Sequence, residues 1–313
     1  MENRQINMVK VNWQGVYPAL TTKFKDDDSL DLDLFKKHLE FQIQSGVQGA
    51  IIGGSLGEAS TINHEEIIEL LIAAKETAGD RIPIIINIAE SSTKQAYKAV
   101  QNAEANGADG LMLLPPMRYK ADDHETVFYF QEIAEKTGLP IMIYNNPYDY
   151  KINVSLDMFE QLTLSPNIRA VKESSRDNTN ITRMRNAFGD RFKIMGGVDT
   201  LTLESIAAGA DGLVAGLVNA FPEETVVLFN LVREGRIQDA WSIYRWFMPL
   251  LELDIHPKLV QYIKLAEAAA GVGTENVREP RLPITGQERV DVLKTINDAL
   301  ATRPNLSIYS INK

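Results

Sequence analysis

Ala105-Asn106-Gly107-Ala108-Asp109-Gly110 and Ala207-Ala208-Gly209-Ala210-Asp211-Gly212 are nearly the same phrase, written once early and once late in the chain. Each follows an amphipathic helical pattern (93–106 and 201–208), stops it at a glycine, and opens a short apolar run (110–114 and 212–215). A chain that repeats helix, glycine and strand in this way is building a β/α array. Similar short apolar runs bounded by Gly, Pro or Asp lie at 15–21, 49–53, 82–88, 140–144, 168–172 and 192–196. The segments between them have room for one helix and two loops each. Helical spacing of apolar residues also appears at 32–45, 123–137, 156–162 and 181–188. Asn63 stands three residues before Glu66, a capping box that opens another helix with Ile67, Ile68, Leu70, Leu71 and Ala74 on its core face.

Eight strands alternating with helices predict an α/β fold, a (β/α)8 TIM barrel over residues 15–220. A doubly wound open sheet is the competing arrangement. It is disfavoured because Gly53-Gly54-Ser55-Leu56-Gly57 lacks dinucleotide-binding spacing and follows the second strand instead of the first. Beyond Ala215 the pattern turns wholly helical (223–233, 237–253, 257–270, 287–301), with a Pro-rich connector at 280–283. The reading is a C-terminal helical extension, 221–303, packed on the barrel, with tails at 1–14 and 304–313.

Of 313 residues, 44% are hydrophobic and 24% charged, the balance of a globular chain with a large core. No apolar run approaches the roughly 18 residues that span a bilayer, so no membrane partner is expected. Met1-Glu2-Asn3-Arg4-Gln5 shows no basic n-region followed by an apolar stretch, and a cytoplasmic location is expected. With no cysteine there are no disulfides, thiolate nucleophiles or Cys-based metal sites. The net charge of −10 argues against nucleic acid and for a small-molecule partner. His38, His64, His124 and His256 form no HxH or HExxH spacing, so no metal is expected. Lys25-Asp26-Asp27-Asp28 reads as a solvated turn.

Barrels of this kind place their chemistry at the C-terminal ends of the strands. That filter retains Thr21, Thr22, the loop from Gly53 to Glu58, Asn87, residues 115–119, 144–147 and 172–175, and the segments starting at Gly196 and Ala215. Lys172 stands out: a lysine ending a buried strand loses solvation, its pKa falls, and a neutral amine attacks carbonyls. The alternative is a structural lysine paired with a carboxylate such as Glu173. Tyr144 ends the preceding strand, where its hydroxyl could relay protons beside that amine; otherwise it is a core tyrosine. Gly54, Ser55 and Leu56 lie in a glycine-rich turn whose backbone N–H groups and Ser55 hydroxyl could hold a carboxylate, although such a turn also serves geometry alone. Glu58 could hold the shape of that turn. Gly54, Ser55, Leu56, Gly196 and Ala215 are the substrate-binding candidates, and Lys172, Tyr144 and Ser55 the catalytic ones.

Gly54-Ser55-Leu56-Gly57-Glu58, Tyr144-Asn145-Asn146-Pro147 and Val171-Lys172-Glu173-Ser174-Ser175, each after its expected strand, resemble the dihydrodipicolinate synthase/N-acetylneuraminate lyase superfamily over most of the chain. The resemblance implies a class I mechanism without a cofactor. In it Lys172 forms a Schiff base with a 2-oxo acid or cyclic 2-imino acid, the Ser55 loop binds the carboxylate, and Tyr144 relays protons. It also implies a homotetramer or dimer. Leu56 replaces a threonine common in the family, Met117 stands near a tyrosine of the synthase, and Asp149 stands near its substrate-binding arginine. These departures point away from the synthase reaction. Residues 256–264 resemble members acting on hydroxyproline breakdown products, which implies 1-pyrroline-4-hydroxy-2-carboxylate deaminase as the leading activity. The alternatives are 4-hydroxy-2-oxoglutarate or other 2-oxo acid aldolases, sugar-acid dehydratases, the synthase itself, and a non-catalytic 2-oxo acid sensor. Retention of both Lys172 and Tyr144 favours an enzyme over the sensor.

Overall fold

The computed structural model describes residues 9–116 and 119–309. Eight strands form one parallel sheet: β1 Gly15–Pro18, β2 Ala50–Ile52, β3 Ile84–Ile88, β4 Gly110–Leu113, β5 Ile141–Asn145, β6 Ile168–Glu173, β7 Lys193–Gly196 and β8 Gly212–Ala215. Their order is β1-β8-β7-β6-β5-β4-β3-β2. A parallel bridge between Ala19 and Ile51, with Leu20 N–H donating to Ile51 O at 2.9 Å, brings β2 back to β1 and closes the barrel. Ile-Ile-Ile-Asn-Ile of β3 is buried at every position, as expected where helices cover one face of a parallel sheet and the barrel interior the other.

The repeated phrase has a structural meaning. Gly107 and Gly209 take positive φ (87° and 101°), which turns each helix end into the next strand. The aspartates then do equivalent work. Asp109 Oδ2 accepts the N–H of Ile84 at 2.8 Å, and Asp211 Oδ2 accepts that of Ile194 at 2.8 Å. Each carboxylate thereby satisfies an N–H in the first two residues of the preceding strand, at the end of the barrel away from the strand C-termini.

Helix starts follow their caps. Asp31, Ser92 and Ser155 accept N–H bonds in the first turns of their helices, and Asn63 and Asp122 form reciprocal capping boxes. Beyond β8 come helices Pro222–Arg233, Ile237–Leu251, Leu259–Ala269 and Gly286–Ala301. The sequence boundary at 220 leaves Pro222–Arg233 with the extension, yet it packs on helix Thr202–Ala207 and on β1, as the eighth helix of the barrel does. In the segment read as an N-terminal tail, Trp13 is buried and stacks on Tyr17.

Two of the short elements that the sequence pattern does not announce frame the site. A turn of helix, Pro147–Tyr150, follows β5, started by Asn146 as N-cap and Pro147 at its first position. A 3-10 turn, Glu252–Ile255, interrupts the helical run read over 237–253. Both lie at the mouth of the barrel. No helix among the described residues is long and apolar enough to cross a membrane.

Candidate active site

Lys172 and Tyr144 are register partners on β6 and β5. The Lys172 Nζ sits over the Tyr144 ring, 4.1 Å from its centre, and both side chains are 92% removed from solvent. Space for the lysine is made by a glycine: a Cβ on Gly197 would stand 2.8 Å from Lys172 Cε and 2.1 Å from Ser174 Oγ. Among the described residues no carboxylate lies within ion-pair distance of Lys172. Glu173, the partner a structural lysine would use, instead accepts from Asn145 Nδ2 at 3.0 Å, Asn180 Nδ2 at 2.6 Å and Ser175 N–H at 2.7 Å. Burial holds the Lys172 pKa below the ordinary lysine range, against the upward pull of Tyr150, Asp254, Asp199 and Asp149.

These groups face a cavity of about 460 Å³. Gly54, Ser55 and Leu56 form one wall, with Leu56 buried and Ser55 open to solvent. Ala215 also lines the cavity. Gly196 does not reach the cavity. A Cβ there would meet Ser205 at 2.9 Å in the surrounding helix layer, and it is Gly197 that faces the interior. Met117 and Arg118 lie outside the described residues.

Hydroxyls run from the loop toward the amine. Ser55 Oγ is 2.6 Å from Tyr150 OH, and the Tyr150 ring meets Tyr144 edge-on with centres 5.5 Å apart. Tyr144 OH accepts from Asn146 Nδ2 at 3.2 Å. Burial pushes both phenols up to about 12, so both are protonated at neutral pH and serve as donors. Tyr150 escaped the sequence reading because it lies five residues beyond β5; the Asn146-Pro147 helix start is the signal that would have turned it inward.

The cavity also carries carboxyl groups. Asp149 lines it, accepting from Asn146 Nδ2 at 2.7 Å. Asp254 enters from the 3-10 turn of the extension, where its Oδ1 lies 1.9 Å from the place a Cβ on Gly216 would occupy. It is within hydrogen-bonding reach of Asp199, whose carboxylate accepts Leu217 N–H at 2.8 Å and Gly216 N–H at 3.1 and 3.2 Å. Burial and then the Asp199 charge raise Asp254 well above the carboxylate range, whereas the backbone N–H bonds oppose that rise at Asp199. Two adjacent carboxyls cannot both ionise cheaply, and Asp254 is the one that keeps the proton. Arg176 stands at the rim in a left-handed conformation (φ 63°), its guanidinium 3.6 Å from the centre of the Tyr148 ring. Sequence reasoning reached neither Asp254 nor Arg176, since one lies outside the strand ends and the other beyond the first residues of its loop.

The arrangement combines a desolvated amine, phenolic donors and a carboxylate-sized turn, which is the equipment for imine chemistry. Comparison with known proteins agrees. The family model described as the dihydrodipicolinate synthetase family matches residues 12–299. The 4-hydroxy-tetrahydrodipicolinate synthase of Exiguobacterium sibiricum is 32% identical over 278 residues, covering 88% of this chain and 93% of the relative. That of Methanothrix thermoacetophila is 29% identical over 296 residues, covering 91% and 98%. The solved dihydrodipicolinate synthase DapA-2 of Bacillus anthracis superposes with a TM-score of 0.89 at 25% identity, covering 94% of this chain and all of that one.

Proposed function

The chain belongs to the dihydrodipicolinate synthetase family, a family of Schiff-base lyases, and from that premise we propose that it eliminates from a small 2-oxo acid or cyclic 2-imino acid, 1-pyrroline-4-hydroxy-2-carboxylate being the leading substrate. The observation that carries this reading is the carboxyl lining of the site: Asp149 and Asp254 share the cavity with Lys172. A second substrate carboxylate would be repelled beside Asp149, whereas a hydroxyl or a ring nitrogen finds hydrogen-bonding partners in the two carboxyls.

In the proposed sequence the substrate carboxylate sits in the Ser55 loop, against backbone N–H groups and the Ser55 hydroxyl. The Lys172 amine attacks C2, and Tyr144 moves the protons that convert the adduct to an iminium. The iminium acidifies C3, and loss of that proton gives an enamine, which expels a group from C4. From the pyrroline acid, whose ring nitrogen leaves C2 as the lysine imine forms, a proton shift from C5 to C3 turns the new C3=C4 bond into C4=C5 beside that nitrogen, and hydrolysis of its imine tautomer and of the lysine imine releases ammonia, 2-oxoglutarate semialdehyde and free Lys172. Each step is assigned to side chains, with no cofactor. The family's oligomeric habit supports assembly as a tetramer or dimer.

A second reading has its own support. The relatives are named as 4-hydroxy-tetrahydrodipicolinate synthases, and Arg176 at the rim supplies a cation that a second carboxylate could use. One experiment separates the two: side-by-side turnover of the hydroxypyrroline acid, of 4-hydroxy-2-oxoglutarate, and of pyruvate with aspartate semialdehyde. Ammonia release from the first at the highest kcat/KM is the expected result. Efficient condensation of the last pair sinks the eliminating reading.

A further inference from the structure

We propose that the Asp254 carboxyl is the proton donor to the group that leaves the substrate, an acid delivered to the barrel mouth by the C-terminal extension and backed by Asp199. The inference rests on the eliminating reading above and names the residue that reading lacks. Tyr144 lies on the Lys172 side of the cavity and is engaged with the amine and C3. A hydroxyl departing from C4 needs its own proton, because hydroxide is a poor leaving group.

The geometry singles out Asp254. It lines the same cavity as Lys172, and it reaches it only because residue 216 is glycine. Behind it Asp199 is fixed by three contacts to the N–H groups of Gly216 and Leu217, so a proton between the two acids sits on the cavity-facing member. The charged and titratable groups around Asp254 are Asp199 after β7, Lys172 on β6, Asp149 after β5 and Tyr144 on β5. His256, on the same connection, stacks on Tyr262 with ring centres 4.4 Å apart. Asp149 accepts a hydrogen bond from Asn146, whereas Asp254 is the cavity carboxyl backed by a second one, which makes it the donor.

The step balances. In the enamine formed on Lys172, the nitrogen pair returns to make C=N, the C2=C3 pair shifts to form C3=C4, and the C4–O bond breaks toward oxygen. Oxygen leaves as water with the Asp254 proton, and Asp254 is reprotonated from solvent.

The test separates two partial reactions of one enzyme. Exchange of the pyruvate methyl protons in deuterium oxide needs the imine and C3 proton transfer but no leaving group. Asp254→Asn should slow elimination from the hydroxypyrroline acid by about 10²-fold or more, mainly in kcat, while pyruvate exchange stays within about threefold. Asp254→Glu, which keeps an acid one methylene further out, should recover part of that loss. Elimination by Asp254→Asn within about threefold of wild type overturns the proposal and leaves the eliminating reading intact. Parallel loss of exchange and elimination in both variants also overturns it, since a residue that only shapes the site would do that. A wild-type enzyme that exchanges pyruvate protons yet eliminates from no 4-hydroxy substrate overturns the eliminating reading, and this proposal with it.

Discussion

The Lys172 amine is a nucleophile only while uncharged, and burial without an ion-pair partner among the described residues lowers its pKa toward that form. Borohydride with pyruvate should therefore add the reduced imine mass to the peptide containing Lys172 and nowhere else, read by intact mass and peptide mapping. Unchanged mass across a 2-oxo acid panel removes the covalent mechanism. Tyr144 and Ser55 should separate in kinetics. Tyr144→Phe deletes the hydroxyl that moves protons and should lower kcat by roughly 10²-fold with a modest change in KM. Ser55→Ala deletes a carboxylate donor and the partner of Tyr150, so KM should rise more than kcat falls. If Tyr144→Phe retains kcat, the hydroxyl serves packing alone.

At the scale of elements, the two Gly-Ala-Asp-Gly turns are joints that serve stability. Asp109 accepts from Val9 and Ile84 N–H and from Lys75, and Asp211 accepts from Ile194 N–H, Lys193 and Arg185. Replacing either by alanine strands buried N–H groups and cations, at a cost of about 2–4 kcal/mol in chemical denaturation. Since both joints lie opposite the cavity, kcat/KM of the surviving folded enzyme should stay within about twofold. A large activity loss at full stability would contradict that assignment. These joints were legible because apolar runs and glycine stops are local signals. For the same reason strand ends were legible as far as Lys172, Tyr144 and the Ser55 loop. Asp254 was not, because the break at 252–255 arises where the helix from Ile237 must end to pass the barrel mouth, and only Pro249 and Pro257 hint at it. Gly196 was misplaced relative to the cavity by one residue, which on a strand is the difference between the two faces.

At the scale of the whole molecule, the barrel and the extension are joined by charges taken out of water. Lys23 pairs with Glu267, and Lys264 with Glu58, all four fully buried. His38 lies beneath the first pair, its Nε2 2.8 Å from Asn219 O and its Nδ1 without a partner among the described residues. Burial lowers its pKa from 6.5 to about 4. Between those values the unfolded chain binds a proton that the native state refuses. Stability should therefore fall as pH drops through this window, by up to roughly 1.4 kcal/mol per unit, and His38→Gln should flatten the slope. The Glu58 pair makes the larger claim. Glu58 closes the Ser55 loop after β2, while Lys264 stands on Leu259–Ala269 of the extension and also donates to Asn276 O at 2.5 Å. Glu58 Oε2 further accepts the N–H of Arg278 at 3.1 Å. Glu58→Gln leaves a buried ammonium without its anion, costing about 3–5 kcal/mol. Because that contact spans both parts of the fold, calorimetry should show one transition moved down, not two transitions separated. Removing both charges in Glu58→Gln/Lys264→Met should restore a large share of the loss, since the burden lies in the uncompensated charge. A double variant no more stable than Glu58→Gln alone would show that the pair does not couple the extension to the barrel. A second transition appearing in the single variant would show that the extension folds as a unit of its own.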